Sequence, residues 1–330
     1  MAFCDVLGQE HALLLLQKAL VSTRLGHAYL LYGPSGVGKR LTALQFTKAL
    51  SCRVATAEAC DTCTACHKIA TGNHPDVVFV SPDGASIRIE HIRAIQRQLS
   101  YKPYESQYTI IIIDGCESLT LPAANALLKT LEEPPASALL LLLTSKKDAL
   151  PLTLISRCQL VPFRPLIPSH IRTILVRQGM DQDTAAIAAT LAEGRLDTWA
   201  QTDVSQVLAR RQGIYTLLQE KGHPKNTPLF LLARQCAGSR DQCDEILHWL
   251  SLFCRDLVLL KVASTLPLYN DDLRTELTAL ASTVSVERLI EFFGLLEQLR
   301  HYLTMNANPQ LTFERLVIQL QQLWETPRAA

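Results

Sequence analysis

Long apolar runs, charge imbalance and aromatic residues are all scarce in this 330-residue sequence. The longest purely apolar stretch, Ala138 to Leu143, is far short of the roughly 18 residues that span a bilayer. At the start, Met1-Ala2-Phe3-Cys4-Asp5 offers no basic region leading into an apolar one, so no secretory leader is expected. A soluble, cytoplasmic chain without a membrane partner is the resulting expectation. Charge is balanced, 32 Lys+Arg against 31 Asp+Glu, so no global field draws the chain to a polyelectrolyte. Nucleic-acid contact must then be local or belong to a partner, and a zinc-dependent DNA-binding module is disfavoured. Aromatics make up 6% of the residues and do not interleave with basic ones, which argues against a single-strand groove. With 48% hydrophobic residues the chain can bury a sizeable core, which excludes disorder. At roughly 150 residues per domain, the length predicts two domains, or three if the helical part splits.

The first half alternates apolar runs with helical patterns. Ala28–Tyr32, Val77–Val80, Thr109–Ile113 and Leu139–Thr144 read as buried strands. Ile89–Leu99 carries Ile89, Ile92, Ile95 and Leu99 at helical spacing, and Ala123–Glu133 places Ala124, Leu127, Leu128 and Leu131 on one face. The alternation predicts an α/β fold with a parallel sheet covered on both sides. Pro162, Pro165 and Pro168 close this region, because each disfavours helix before it and cannot donate to a ladder. Beyond them the periodicity is helical throughout: Ser169–Gln178, Asp183–Glu193, Gln242–Val262, Val286–Leu303 and Leu311–Trp324. The expected domains are residues 1–165, a small helical unit 166–205 and a larger all-α unit 206–330.

Gly33-Pro34-Ser35-Gly36-Val37-Gly38-Lys39-Arg40 follows a strand and precedes the helical segment Leu41–Leu50. It matches the phosphate-loop pattern G-x-x-x-x-G-K-[ST] at all but the last position. Gly33, Gly36 and Gly38 let backbone N–H groups wrap a phosphate, and Lys39 reaches toward its outer oxygens. Arg40 stands where a hydroxyl should meet Mg²⁺, and a guanidinium has no acceptor to offer. Ile110-Ile111-Ile112-Ile113-Asp114 supplies the expected apolar strand ending in a metal-directed carboxylate, but Gly115 follows where a water-activating Glu belongs. Glu117 would need a different approach angle to replace it. The alternative is a tight strand-to-helix turn that binds no nucleotide. ATP binding is expected to be weak or absent, and hydrolysis likewise.

Of ten cysteines, Cys52, Cys60, Cys63 and Cys66 fall within fifteen residues, the last three at C-x-x-C-x-x-C spacing. In a reducing compartment this reads as a metal site rather than a disulfide framework. Four thiolates suit a closed, structural Zn²⁺ centre; an iron–sulfur cluster is the alternative. His67 is read as a neighbour and not a ligand. Cys4, Cys116, Cys158, Cys236, Cys243 and Cys254 are expected as buried apolar residues.

The run Asn125-Ala126-Leu127-Leu128-Lys129-Thr130-Leu131-Glu132-Glu133-Pro134-Pro135, followed by Ser156-Arg157-Cys158, resembles bacterial clamp-loader subunits of the AAA+ class. So do the cysteine insertion after the phosphate loop, Gly72-Asn73-His74-Pro75-Asp76 and Asn306-Ala307-Asn308-Pro309. The resemblance implies that residues 1–165 are an AAA+ core with a zinc module near 52–66, 166–205 a lid, and 206–330 a collar domain that holds a hetero-pentameric ring together. Its implied partners are the gamma/tau and delta subunits, and through the complex the sliding clamp and primed DNA of a DNA-directed DNA polymerase holoenzyme.

The resemblance also implies that Arg157 acts as an arginine finger at the ATP site of the neighbouring subunit; the bland reading is a salt-bridging surface arginine. Arg40, Gly115 and Asp197, the last standing where ATPase subunits carry a lid arginine, are similar to a non-hydrolysing member of the family. The alternative is an ATP-hydrolysing, gamma/tau-like subunit using Lys39 and Asp114. Arg88, Arg93 and Arg97, with Lys102, lie on or beside one helix and are read as a solvated face more readily than a DNA contact.

Overall fold

The computed structural model describes residues 3–22, 25–54, 58–84, 86–197, 204–219, 240–262, 265–305 and 307–324. Cys236 and Asn306, and the side chain of Cys4, lie outside the described residues. The chain divides into two compact units, Met1–Ala185 with Ala192–Ala200, and Ala186–Leu191 with Gln201–Ala330.

The first unit is built on five parallel strands, β1 (Ala28–Tyr32), β2 (Val77–Val80), β3 (Thr109–Asp114), β4 (Ala138–Thr144) and β5 (Gln159–Pro162), in the order β2-β3-β4-β1-β5. The register pairs Ile110 with Leu139 and Ile111 with Leu140, and on the other flank of β4 pairs Ala28 with Leu140. Successive side chains point to opposite faces, so each central strand feeds two cores. Leu30, Ile111, Ile113, Leu140 and Leu142 pack with Ile92, Ile95, Leu127 and Leu131 from the helices Ile89–Leu99 and Leu121–Glu132. Tyr29, Leu31, Ile110, Ile112, Leu139 and Leu141 pack with Leu16, Ala43 and Phe46 from the helices Glu10–Val21 and Lys39–Ser51. Burial on both faces explains why β3 and β4 read as unbroken apolar runs. Each fully buried Leu or Ile contributes about 1.5–3 kcal/mol relative to exposure, and every residue of β4 is buried.

The first four strands occupy the runs expected from sequence. β5 is an addition: the segment around Pro162, expected only to close the region, pairs with β1 through Tyr32 and Pro162. It is the edge strand beyond β1, where a residue without an N–H is tolerated. Gln159 and Leu160 are exposed there, so no apolar run marks it.

The described part of the second unit is helical, with Val204–Gln219, Arg240–Lys261, Arg274–Ala281, Val286–Thr304 and Pro309–Trp324. Ser285 caps one of these by accepting from the Arg288 N–H, and Leu289, Phe292, Leu296, Leu299 and Leu303 form its buried stripe. Arg211 is buried here and forks onto Asp272 at 2.9 and 2.6 Å while its Nε donates to Asn270 Oδ1 at 2.9 Å. Among the described residues no helix is long and apolar enough to cross a membrane.

Candidate functional site

β1 delivers the chain into the phosphate loop, and the two glycines at its bends have no room for a side chain. A Cβ at Gly33 would lie 2.3 Å from the carbonyl oxygen of Phe163. One at Gly36, where φ is +69°, would lie 2.5 Å from the Asp197 nitrogen. Gly38 adopts a left-handed conformation at the cap of the helix Lys39–Ser51, aiming the first turn of that helix at the loop. Around it opens a cavity of about 260 Å³ lined by Ser35, Gly36, Gly38, Lys39, Arg40, Asp114, Glu117 and Thr144, among others. The structure brings Gly36, Gly38, Lys39 and Asp114 to one cavity, with Gly33 at the loop's entry.

The cations of this cavity are turned to internal partners. Lys39 is buried, and its Nζ donates to the carbonyl oxygens of Gly33 at 2.6 Å and Pro34 at 2.5 Å. Burial holds its pKa below the ordinary lysine value, against the opposing pull of Glu117, Asp114 and Asp197. Arg40 stacks on the Phe79 ring of β2 with its guanidinium carbon 4.2 Å from the centroid. Burial raises the pKa of Asp114 above the ordinary carboxylate range even though Arg40 and Lys39 favour its charge.

Glu117 is held at the cavity wall by groups that no local sequence pattern announces. It accepts from Thr144 Oγ1 at 2.8 Å, from the Ser145 N–H at 3.2 Å and from the Ser145 hydroxyl. Burial opposes its ionisation, but these bonds prevail and keep its pKa below the usual value. A carboxylate pinned by three donors is poorly placed to take a proton from water. The sequence offers Asp197 only as a missing arginine; its segment lies against the loop, with the Leu196 N–H donating to the Gly36 carbonyl at 3.1 Å.

The four cysteines converge: the Sγ atoms of Cys52, Cys60, Cys63 and Cys66 all lie within 4.8 Å of one another. Tetrahedral Zn–S bonds of about 2.3 Å require sulfurs roughly 3.8 Å apart, so the donor set fits a small ion with modest contraction. Cys63 caps the helix Thr64–Ala70 and Cys52 ends the helix Lys39–Ser51, so an ion here would fasten the two together. The Cys63 N–H donates to Cys60 Sγ at 3.3 Å and the Cys66 N–H to Cys63 Sγ at 3.5 Å, bonds suited to thiolates. Hydrogen bonds, led by that of Thr62, lower the Cys60 pKa to about 6, whereas burial pushes Cys66 up to about 12. His67 is exposed and outside this set. Lys48, 8% exposed, ties the same loop to its helix through Asp61 at 2.6 Å. Cys116, Cys243 and Cys254 are buried as expected.

Arg157 lies on the turn after the short helix Leu152–Ile155. Its Nη1 donates to the Thr153 carbonyl at 2.8 Å and its Nη2 to Glu132 Oε1 at 2.6 Å, with 35% of the side chain exposed. Burial pushes the neighbouring Cys158 thiol up to about 12, so Cys158 packs rather than reacts. Arg88, Arg93, Arg97 and Lys102 are exposed.

His74 and Asp76 prove to be a buried hub. Asp76 accepts from the N–H groups of Tyr104, Glu105 and Ser106 at 2.6, 2.7 and 2.8 Å. Its own N–H donates to His74 Nδ1 at 3.2 Å. No local pattern around His74-Pro75-Asp76 announces that residues 104–106, distant in sequence, fold around this carboxylate.

Two family descriptions match the chain: "DNA polymerase III, delta subunit" over residues 8–167 and "DNA polymerase III, delta subunit, C terminal" over residues 200–322. It is 31% identical to the DNA polymerase III subunit delta' of Bacillus subtilis, covering 95% of this chain and 96% of that protein. It is 29% identical to the tau subunit of the same organism and 30% identical to the tau/gamma subunit of Haemophilus influenzae, but spans only 61% and 49% of those longer proteins. Among solved structures, a gamma subunit-related protein of Thermotoga maritima superposes with a TM-score of 0.50 at 19% identity, over 96% of this chain and 100% of that one, a likeness of fold.

Proposed function

Because the chain belongs to the DNA polymerase III delta-subunit family, we propose that it is a delta-prime-like clamp-loader subunit that hydrolyses no ATP itself and lends Arg157 to a neighbouring ATPase subunit. The observation that carries this reading is the state of its own phosphate site. The cradle survives, but Lys39 is folded onto the loop carbonyls, Arg40 is stacked on Phe79, and Glu117 is tied to Thr144 and Ser145. Without a hydroxyl for Mg²⁺ and a free base for water, such a site positions an anion and gains little else.

Arg157 would act in the opposite direction, outward. A guanidinium placed against the transferring phosphoryl group neutralises charge that builds on its oxygens, an effect of about 10³–10⁵ in rate or 4–7 kcal/mol. In this reading residues 1–165 are the AAA+ core, 166–205 the lid and 206–330 the collar of a hetero-pentameric ring with gamma/tau and delta subunits. Through that ring the chain would serve the placing of the sliding clamp on primed DNA. Cys52, Cys60, Cys63 and Cys66 would hold Zn²⁺, which when bound supplies a closed cross-link with no open position for chemistry. The retained glycines and Lys39 favour, as a second reading, residual nucleotide binding.

The test is Mg-ATP binding and turnover by the purified chain. No turnover, with weak binding or none, is the expected result; steady turnover lost on Lys39→Ala would instead establish a gamma/tau-like ATPase.

A further inference from the structure

With Arg157 read as the trans-acting arginine, on which this rests, we infer that Glu132 is its positioning residue: the carboxylate holds the guanidinium in the orientation from which it meets a neighbour's phosphoryl group. Glu132 is the last residue of the helix Leu121–Glu132, which is locked into the core by Leu127 and Leu131. The turn bearing Arg157 is locked into the same core by Leu154. The guanidinium is therefore gripped at both terminal nitrogens, by Glu132 Oε1 at 2.6 Å and by the Thr153 carbonyl at 2.8 Å, from two elements with a common foundation. The rest of the turn is built the same way. Ser156 Oγ donates to the same Thr153 carbonyl at 3.1 Å, and Cys158 Sγ donates to Leu154 O at 3.4 Å.

Donor arithmetic gives this grip a purpose. A guanidinium carries five N–H bonds, and the two internal contacts use one hydrogen on each terminal nitrogen. Among the described residues Nε–H and the remaining hydrogen of each terminal nitrogen have no acceptor, which leaves them, in one plane, for phosphoryl oxygens. A stabilising role is a poor explanation for the pair, since its side chains are 35% and 50% exposed and such ion pairs contribute little to folding. Pre-ordering is a better one. An unheld arginine has several torsions to fix at the moment it meets the phosphoryl group, and one already held does not.

The experiment uses a reconstituted loader in which only the ATPase subunit facing Arg157 keeps a competent phosphate loop, so that turnover reports one site. Glu132→Ala is expected to lower kcat roughly tenfold, the factor that about 1.4 kcal/mol of barrier represents, with KM for ATP and the melting temperature unchanged. Glu132→Gln, which keeps the acceptor oxygen, should restore most of the rate. Arg157→Ala should lower kcat further, and the double variant no further still. A Glu132→Ala loader with wild-type kcat beside an impaired Arg157→Ala loader would overturn the positioning role. So would a Glu132→Ala loss that multiplies with that of Arg157→Ala, or one confined to KM. An Arg157→Ala loader with undiminished kcat would overturn the trans-acting reading itself, and the role of Glu132 with it.

Discussion

Replacing Asp76 by alanine should be among the most damaging single changes in the first unit. The residue is 4% exposed, and its carboxylate is the acceptor for three consecutive backbone N–H groups, those of Tyr104, Glu105 and Ser106. A buried donor stripped of its partner costs about 1–3 kcal/mol, so three set an upper bound near 9. Tyr104 is itself exposed at 84%, so water should satisfy part of the loop, and a net loss of about 3–5 kcal/mol is expected. Asp76→Asn keeps one acceptor oxygen, which can serve the neighbouring N–H pair of Glu105 and Ser106, and should cost about 1–3 kcal/mol. Burial raises the Asp76 pKa, but the three N–H bonds outweigh it and hold the carboxyl below the ordinary range. The folded chain thus binds that proton less tightly than the unfolded chain. The stabilisation is complete above the unfolded value of about 3.9 and fades as pH falls through the lower folded value. Urea unfolding of this unit, followed at neutral and acid pH together with hydrogen exchange at residues 104–106, measures both effects. An Asp76→Ala protein within 1 kcal/mol of wild type, or an Asp76→Asn protein with an unchanged acid slope, would rule out this role for Asp76.

Three further outcomes follow from the same geometry. Metal analysis should find about one zinc per chain, lost with a fall in melting temperature on Cys60→Ser, because the four cysteine sulfurs converge within 4.8 Å and could close around one ion; a metal-free wild type of equal stability would contradict this. Leu140→Ala, at the fully buried centre of β4, should destabilise the first unit by about 2–5 kcal/mol in chemical denaturation, through the apolar burial lost and the cavity it leaves. Arg211→Ala should lower the stability of the second unit by about 2–4 kcal/mol, since it leaves the buried Asn270 Oδ1 without that donor and removes both bonds to Asp272; a melting curve resolving the two units would show it.

Much of the sheet was legible because burial on both faces writes an unbroken apolar run, as in Ile110-Ile111-Ile112-Ile113 and the leucines of β4. β5 was not, since an edge strand needs no such run and carries Pro162. Among the candidate sites, those written in local spacing were readable: the phosphate-loop glycines, Lys39, Asp114 and the cysteine cluster. What escaped lies in contacts between residues far apart in sequence. Glu117 meets Thr144 and Ser145 only because β3 and β4 are neighbours, and Leu196 meets Gly36 only because residues 194–197 return to the loop. Arg157 is a case of its own. Nothing in its spacing distinguishes it from a surface arginine, and its pairing with Glu132 becomes visible only in three dimensions.

The proposed role of Arg157 is tested most directly by ATP turnover at the single loader site that this arginine would face, measured with wild-type chain and with Arg157→Ala. A loss of about 10³-fold or more is expected, with the ring still assembled. Turnover that survives the substitution would show that this chain lends its neighbour no arginine.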